Sequence, residues 1–156
     1  MQQQLFASTY KAAEMELVYR NNIRPEDRVQ ISQSKTAYEV LLNSWDQDRI
    51  ELVEQFKIIL LDFRLNCLGI SEISTGGMSL CPVDMKIVFS TALLAKASKI
   101  IAAHNHPSGF PHPSNEDIVL TRRMVEAGKL LSLDVQDHLI VTKYDYYSLA
   151  DNGFIP

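Results

Sequence analysis

The stretch Lys99-Ile-Ile-Ala-Ala-His104-Asn-His106-Pro-Ser-Gly-Phe-Pro-His-Pro-Ser-Asn-Glu-Asp117 decides how the rest of the chain is read. Its first residues form a short apolar run with Pro and Gly close behind, the signature of a buried strand. His104 and His106 stand at the end of that run. Side chains at i and i+2 of a strand point to the same side, so the two imidazoles converge. Imidazole nitrogen and carboxylate oxygen are both zinc ligands. Asp117 supplies the carboxylate, eleven residues after His106 and at the start of a predicted helix. Two His and one Asp leave a fourth position open, the pattern of a catalytic site and not of a closed structural one. Each part has a plainer explanation. Ser114-x-x-Asp117 is a capping box in its own right, and the Pro and Gly residues mark a turn. Their conjunction within fourteen residues favours the metal.

Other His-x-His chemistries fit less well. A metallo-β-lactamase-type site continues His-x-His-x-Asp-His, where this chain has Ser108-Gly109. A (β/α)8 amidohydrolase needs roughly 200 residues or more. A zinc deaminase needs Pro-Cys-x-x-Cys, and Cys67 and Cys81 form no such pair. A polynuclear phosphoesterase needs more His than the four present. One metal, two His and one Asp remain.

With those residues in place, His104-x-His106-Pro followed by Ser114-x-x-Asp117 resembles the JAMM (MPN+, JAB-type) metalloprotease motif. The spelling His-Asn-His-Pro-Ser-Gly, then Pro-Ser-x-x-Asp, Glu126-Ala-Gly-Lys-Leu-Leu131 and Asp137-His-Leu-Ile140, is similar to the bacterial RadC branch of that family. The resemblance covers residues 32–156. It implies an MPN/JAB (cytidine-deaminase-like) fold, one zinc per chain held by His104, His106 and Asp117, and hydrolysis of a peptide or isopeptide bond. It also implies an upstream Glu as general base. Glu54-Gln-Phe-Lys-Ile-Ile-Leu-Leu-Asp62 fits the RadC pattern there, which selects Glu54; the residues alone do not choose among Glu51, Glu54 and Glu72. The family further places a Ser near the developing oxyanion, at the position of Ser114. RadC proteins usually carry a helical module of DNA-binding type before this domain. Residues 1–31, read as an arm and a strand, are too short for one, which weakens a DNA-repair reading.

Composition sets the outer bounds. The 156 residues suffice for one domain, and 46% hydrophobic content excludes a disordered chain. A formal net charge of -4 gives no support for nucleic-acid binding. The two Cys read as reduced thiols. Nothing at the N-terminus reads as a signal, and no apolar run is long enough for a membrane span, so a soluble cytoplasmic protein is expected.

Taken in order, residues 13–20 alternate as a strand, and Asn21 to Pro25 break it. Ser34 is placed to cap a helix through about 46, with Ala37, Leu41 and Trp45 on one face. Residues 55–63 read as an apolar strand and 68–73 as its hairpin partner across a turn at Asn66. Asp84 caps a helix of about 85–97 that turns Ile87, Leu94 and Ala97 inward. The ligand strand follows, then a helix over 115–131 with Leu120, Met124, Ala127 and Leu131 on one stripe. Residues 135–142 make a last strand, and 144–152 a polar closing segment. The fold class is α/β (α+β), a curved mixed sheet flanked by helices. Asn105 points away from its two His neighbours and is expected in a supporting role. His112 reads as an exposed loop residue, the alternative being a substrate contact. Asp137 and His138 read as a buried, hydrogen-bonded pair, the alternative being support for the metal ligands.

Three functions remain in play. The first is a zinc metallohydrolase acting on peptide or protein substrates. The second is a metal-stabilised MPN module that binds a partner protein, or DNA by family association. The third is a nuclease, for which carboxylate and His ligands to a second metal are not evident.

Overall fold

The computed structural model describes residues 12–13, 15–78 and 81–156. The elements are a 3-10 turn at Pro25–Asp27, then α1 (Ser34–Ser44), β1 (Gln55–Leu61), β2 (Cys67–Thr75), α2 (Met85–Leu94), β3 (Lys99–Asn105), α3 (Asn115–Leu130), β4 (Asp134–Val141) and β5 (Tyr146–Ser148). The strands form one sheet in the order β2-β1-β3-β4-β5, in which only the β3–β4 pair is parallel. Parallel neighbours need a long crossover, and α3 is that crossover. The mixed sheet flanked by helices agrees with the expected fold class.

Both faces of the sheet are covered, so β1 is buried at every position, and from Ile58 to Leu61 it reads as an unbroken apolar run. Strand alternation divides it. Ile59 and Leu61, with Ile101 and Ala103 of β3, pack under α1 against Ala37, Leu41 and Trp45. Phe56, Ile58 and Leu60, with Ile100 and Ala102, pack under α2 and α3 against Val88, Phe89 and Met124. The hairpin turn is tied by Asp62, whose carboxylate accepts from Arg64 N, Asn66 N and Asn66 Nδ2. Gly128 of α3 lies where a Cβ would collide with the Leu133 carbonyl; only Gly lets the helix end turn so closely into β4.

Several expectations are corrected. Residues 13 and 15–20 lie in no strand, and Met15 and Leu17 are 92% and 71% exposed. Glu14 lies outside the described residues. Ser34 is not a cap: Gln33 occupies that position without a side-chain bond, and the Ser34 hydroxyl donates to Asp151 Oδ2 instead. Asp84 does cap α2, accepting from Lys86 N at 2.8 Å. The buried face of α2 is Val88, Phe89 and Ala92, while Ile87 and Leu94 are exposed. On α3 the buried residues are Thr121, Met124 and Gly128. Leu120 and Ala127 are partly buried and Leu131 is exposed. The closing segment contributes a fifth strand.

Candidate metal centre

Strand parity decides what each residue at the end of β3 faces. Ile100 and Ala102 point toward α2 and α3, so His104, in step with them, points that way too. Asn105 points to the α1 side. His106 follows the strand, its N–H still bonded to the Val141 carbonyl at 3.0 Å. The chain then loops through Gly109, at φ +82°, and enters α3 at Ser114. The two His and Asp117 thus meet at the carboxyl end of β3 beside the helix start.

The donor atoms lie close together. His104 Nε2 is 3.0 Å from His106 Nε2 and 3.1 Å from Asp117 Oδ1, and His106 Nε2 is 3.6 Å from Asp117 Oδ2. Ligands on one tetrahedral zinc, with bonds of about 2.0–2.1 Å, stand about 3.3 Å from one another. His106 Nδ1 lies 2.8 Å from the Phe110 carbonyl, which can only accept, so the neutral ring carries its hydrogen on Nδ1 and turns a bare Nε2 inward. Asp117 Oδ2 accepts from Ser114 N and Oγ, each at 2.7 Å. Oδ1 takes nothing from Ser114 and is left to face the imidazoles. These three residues are the group of His, Cys, Asp and Glu, among the described residues, that could hold a metal ion. The electron-rich atoms, their spacing and the hydrogen bonds behind them fit a divalent cation.

The antiparallel β1–β3 register places Glu54. Phe56 pairs with His104, so the residue two positions earlier lies alongside His106. Glu54 is partly buried and shares a cleft of about 720 Å³ with His104, His106, Ser114 and Asp117; Phe56, Met78, Val83 and Leu120 give it an apolar wall. The other two acids are elsewhere. Glu51 reaches Lys143 at 3.9 Å, and Glu72 accepts from Gln55 Nε2 at 3.0 Å. Asn105, fully buried, holds the segment that carries Glu54. Its Oδ1 accepts from Gln55 N at 2.7 Å, and its Nδ2 donates to the carbonyls of Ile50 and Val53 at 2.7 and 2.8 Å. Glu54 is therefore bracketed by bonds from the residue between the two His.

The electrostatics follow from these contacts. Burial pushes the Glu54 carboxyl up, with His104 and His106 opposing it in part. Burial also acts to raise Asp117, but the adjoining imidazoles of His104 and His106 and the Ser114 hydrogen bond outweigh it and hold that carboxyl well below the usual range. Burial acts to lower His106, yet Asp117 and the Phe110 carbonyl carry it above the ordinary His value. Complete burial, assisted by His104, keeps His138 well below that value.

A profile of the family described as RadC-like JAB domain matches residues 31–154. The chain belongs to that family. It is 37% identical over 147 residues to a UPF0758 protein of Methanosarcina barkeri, covering 93% of this chain and 64% of that one. A UPF0758 protein of Syntrophomonas wolfei is 41% identical over 102 residues, 65% of this chain and 43% of its own. One from Thermotoga maritima is 40% identical over 100 residues, 64% and 45% respectively. The chain thus spans less than two thirds of these relatives, whose names state no activity.

In this RadC-like JAB domain His104, His106, Asp117, Ser114 and Glu54 line one cleft. Ser114 caps α3, its Oγ accepting from Asp117 N at 3.2 Å. His112 is exposed, its ring edge-on to Tyr147. Asp137 and His138 are not a side-chain pair. Asp137 accepts from Ser148 Oγ, Ala150 N and the backbone N–H of His138, while the His138 ring lies against His104 and Thr121. The cause is a bulge. Ile100 pairs with Val135, but Ile101 pairs with Asp137, so Gln136 is extra. Counted straight from Val135, His138 falls on the α1 face; the bulge moves it to the α3 face, behind His104. No helix of the described residues is long and apolar enough to cross a membrane.

Proposed function

We propose that this chain is a zinc-dependent metallohydrolase of the JAMM type that cleaves peptide or isopeptide bonds, with residues 32–156 as its catalytic domain. The observation that carries this reading is the shared cleft. An acid held above its ordinary pKa by burial sits beside a converging His, His, Asp set, with room for a substrate chain. His104, His106 and Asp117 would hold a zinc ion, which would supply Lewis acidity toward a carbonyl oxygen and make water acidic enough to ionise near a pH of about 7. Glu54 accepts a proton from the attacking water and returns it to the leaving amine. A carboxyl moved up toward neutrality is suited to both transfers. The Ser114 hydroxyl, turned from Asp117 Oδ2 to the substrate, donates to the carbonyl oxygen as charge develops there. The apolar wall of Phe56, Met78, Val83 and Leu120 takes the flanking side chains of the substrate. Peptide chemistry is preferred to phosphodiester cleavage because one ligand group converges among the described residues, where a two-metal nuclease needs more.

The test is hydrolysis of a library of peptides and lysine isopeptides by the zinc-loaded protein. Cleavage that a chelator abolishes and added zinc restores is the expected result. No cleavage of any member, or cleavage indifferent to the chelator, would overturn the proposal.

A further inference from the structure

Behind His104 lies a chain of polar groups that the hydrolytic reading does not use. His138 and Thr121 are both wholly buried. His104 Nδ1 is 2.9 Å from His138 Nε2, His138 Nδ1 is 2.6 Å from Thr121 Oγ1, and Thr121 Oγ1 is 2.7 Å from the Asp117 carbonyl oxygen. The chain therefore starts on the backbone of one proposed ligand and ends on the ring of another. All three distances are those of direct hydrogen bonds.

Donor counting gives the chain a direction. A carbonyl only accepts, and a hydroxyl has one hydrogen. The Thr121 hydrogen goes to the Asp117 carbonyl, so His138 Nδ1 donates into the Thr121 oxygen. A neutral imidazole carries one N–H, which leaves His138 Nε2 bare and makes His104 Nδ1 the donor. The single hydrogen of His104 is then on Nδ1, and its Nε2 presents a lone pair toward His106 and Asp117. The reverse direction would leave Thr121 Oγ1 against the Asp117 carbonyl with no hydrogen between them, and would put a hydrogen on His104 Nε2, where a metal cannot bind. The Phe56 ring, stacked on His104 and edge-on to His138, keeps both imidazoles in their planes.

We propose that Thr121 and His138 are positioning residues that preset His104 in its Nδ1–H tautomer, so that the ring is ready to ligate through Nε2 before a metal arrives. This rests on the metal-centre reading, and it adds that the helix carrying Asp117 also sets the hydrogen of the first His through its own turn. The bulge at Gln136 is the structural device that makes the contact possible.

Two measurements test it, on wild type, Thr121→Val and Thr121→Ser. The first is the tautomer of His104 and His138, read from long-range nitrogen–proton NMR of the imidazoles in metal-free and zinc-loaded protein. The second is zinc affinity by competition with a chelating dye. Wild type and Thr121→Ser are expected to show the hydrogen on Nδ1 of both rings even without metal, and to bind zinc alike. Thr121→Val keeps the shape and loses the hydroxyl. It is expected to bind zinc about 10-fold or more weakly, the scale of losing a group behind a metal-ligating His, with mixed tautomers in the metal-free rings. Melting of the three metal-free proteins checks the fold, and the Ser variant serves as the rescue if Val perturbs packing. A His104 hydrogen on Nε2 in metal-free wild type, or unchanged zinc affinity in Thr121→Val, would overturn the proposal. Failure of wild type to bind zinc would instead overturn the metal centre, with the tautomers still decided by the metal-free spectra.

Discussion

His104 and Asn105 are neighbours on one buried strand, yet the two sides of the sheet treat them oppositely. On the α1 side, Asn105 meets a donor and two acceptors and satisfies all three at 2.7–2.8 Å. On the α3 side, His104 and His106 turn ring nitrogens at each other, 3.0 Å apart, with a carboxylate oxygen alongside. A structural polar residue in a core is saturated by the protein. A convergent set of acceptors with support only from behind is completed by something else. One strand end thus holds a finished clamp and an open site, and the clamp grips the segment that brings Glu54 to the site.

Breaking the open side separates catalysis from binding and should give the largest effect. Glu54→Gln keeps the shape and removes the proton acceptor. Peptide hydrolysis is expected to fall by ~100-fold or more, the scale of one general base, with zinc retained and melting unchanged. Asp117→Asn removes a charged ligand, so zinc content and the stability linked to it should fall together. Zinc content, melting temperature and rate on all three proteins decide this; zinc lost from Glu54→Gln would make that residue a ligand.

Breaking the finished side should act on the fold. Asn105→Ala leaves the Gln55 N–H and two carbonyls buried without partners, which costs about 2–4 kcal/mol. Urea denaturation of the metal-free protein measures it. A loss below about 1 kcal/mol would mean that the clamp is not what holds the Glu54 segment.

The smaller prediction sharpens the contrast with pH. The raised pKa of His106 in the metal-free protein means that its charged form is stabilised by folding. That contribution is fully present below the unfolded value of about 6.5 and is lost as pH rises through the higher folded value. Zinc needs the neutral ring, so the sign reverses on loading. Apparent zinc affinity should drop by up to about tenfold per pH unit once pH falls below the folded value. Affinity measured from pH 6 to 8 that shows no such slope would remove His106 from the ligand set.

The candidate cluster was legible because strand period and helix capping both act locally: His104, His106, Ser114 and Asp117 fall within one strand end and one helix start. Glu54 was not separable from Glu51 and Glu72 by residue type, since the β1–β3 register that aligns it with His106 is a long-range pairing. Thr121 and His138 were hidden for a related reason. A Thr inside a helix looks like any buried polar residue, and parity along β4 fails at the Gln136 bulge. Two of the local readings that went astray in the fold show why. The alternation of residues 15–20 is a capacity to pair, and no strand there takes it up. In Met85–Leu94 apolar residues occupy most of the turn, so helical period could not phase the buried face, which Val88, Phe89 and Ala92 took.

The central claim is that one divalent metal joins His104, His106 and Asp117. Elemental analysis of wild type and His106→Ala, each loaded with zinc and dialysed, tests it most directly. The account predicts about one zinc per chain in wild type, the content of a single mononuclear site, and almost none in the variant. Equal zinc in the two proteins would contradict it.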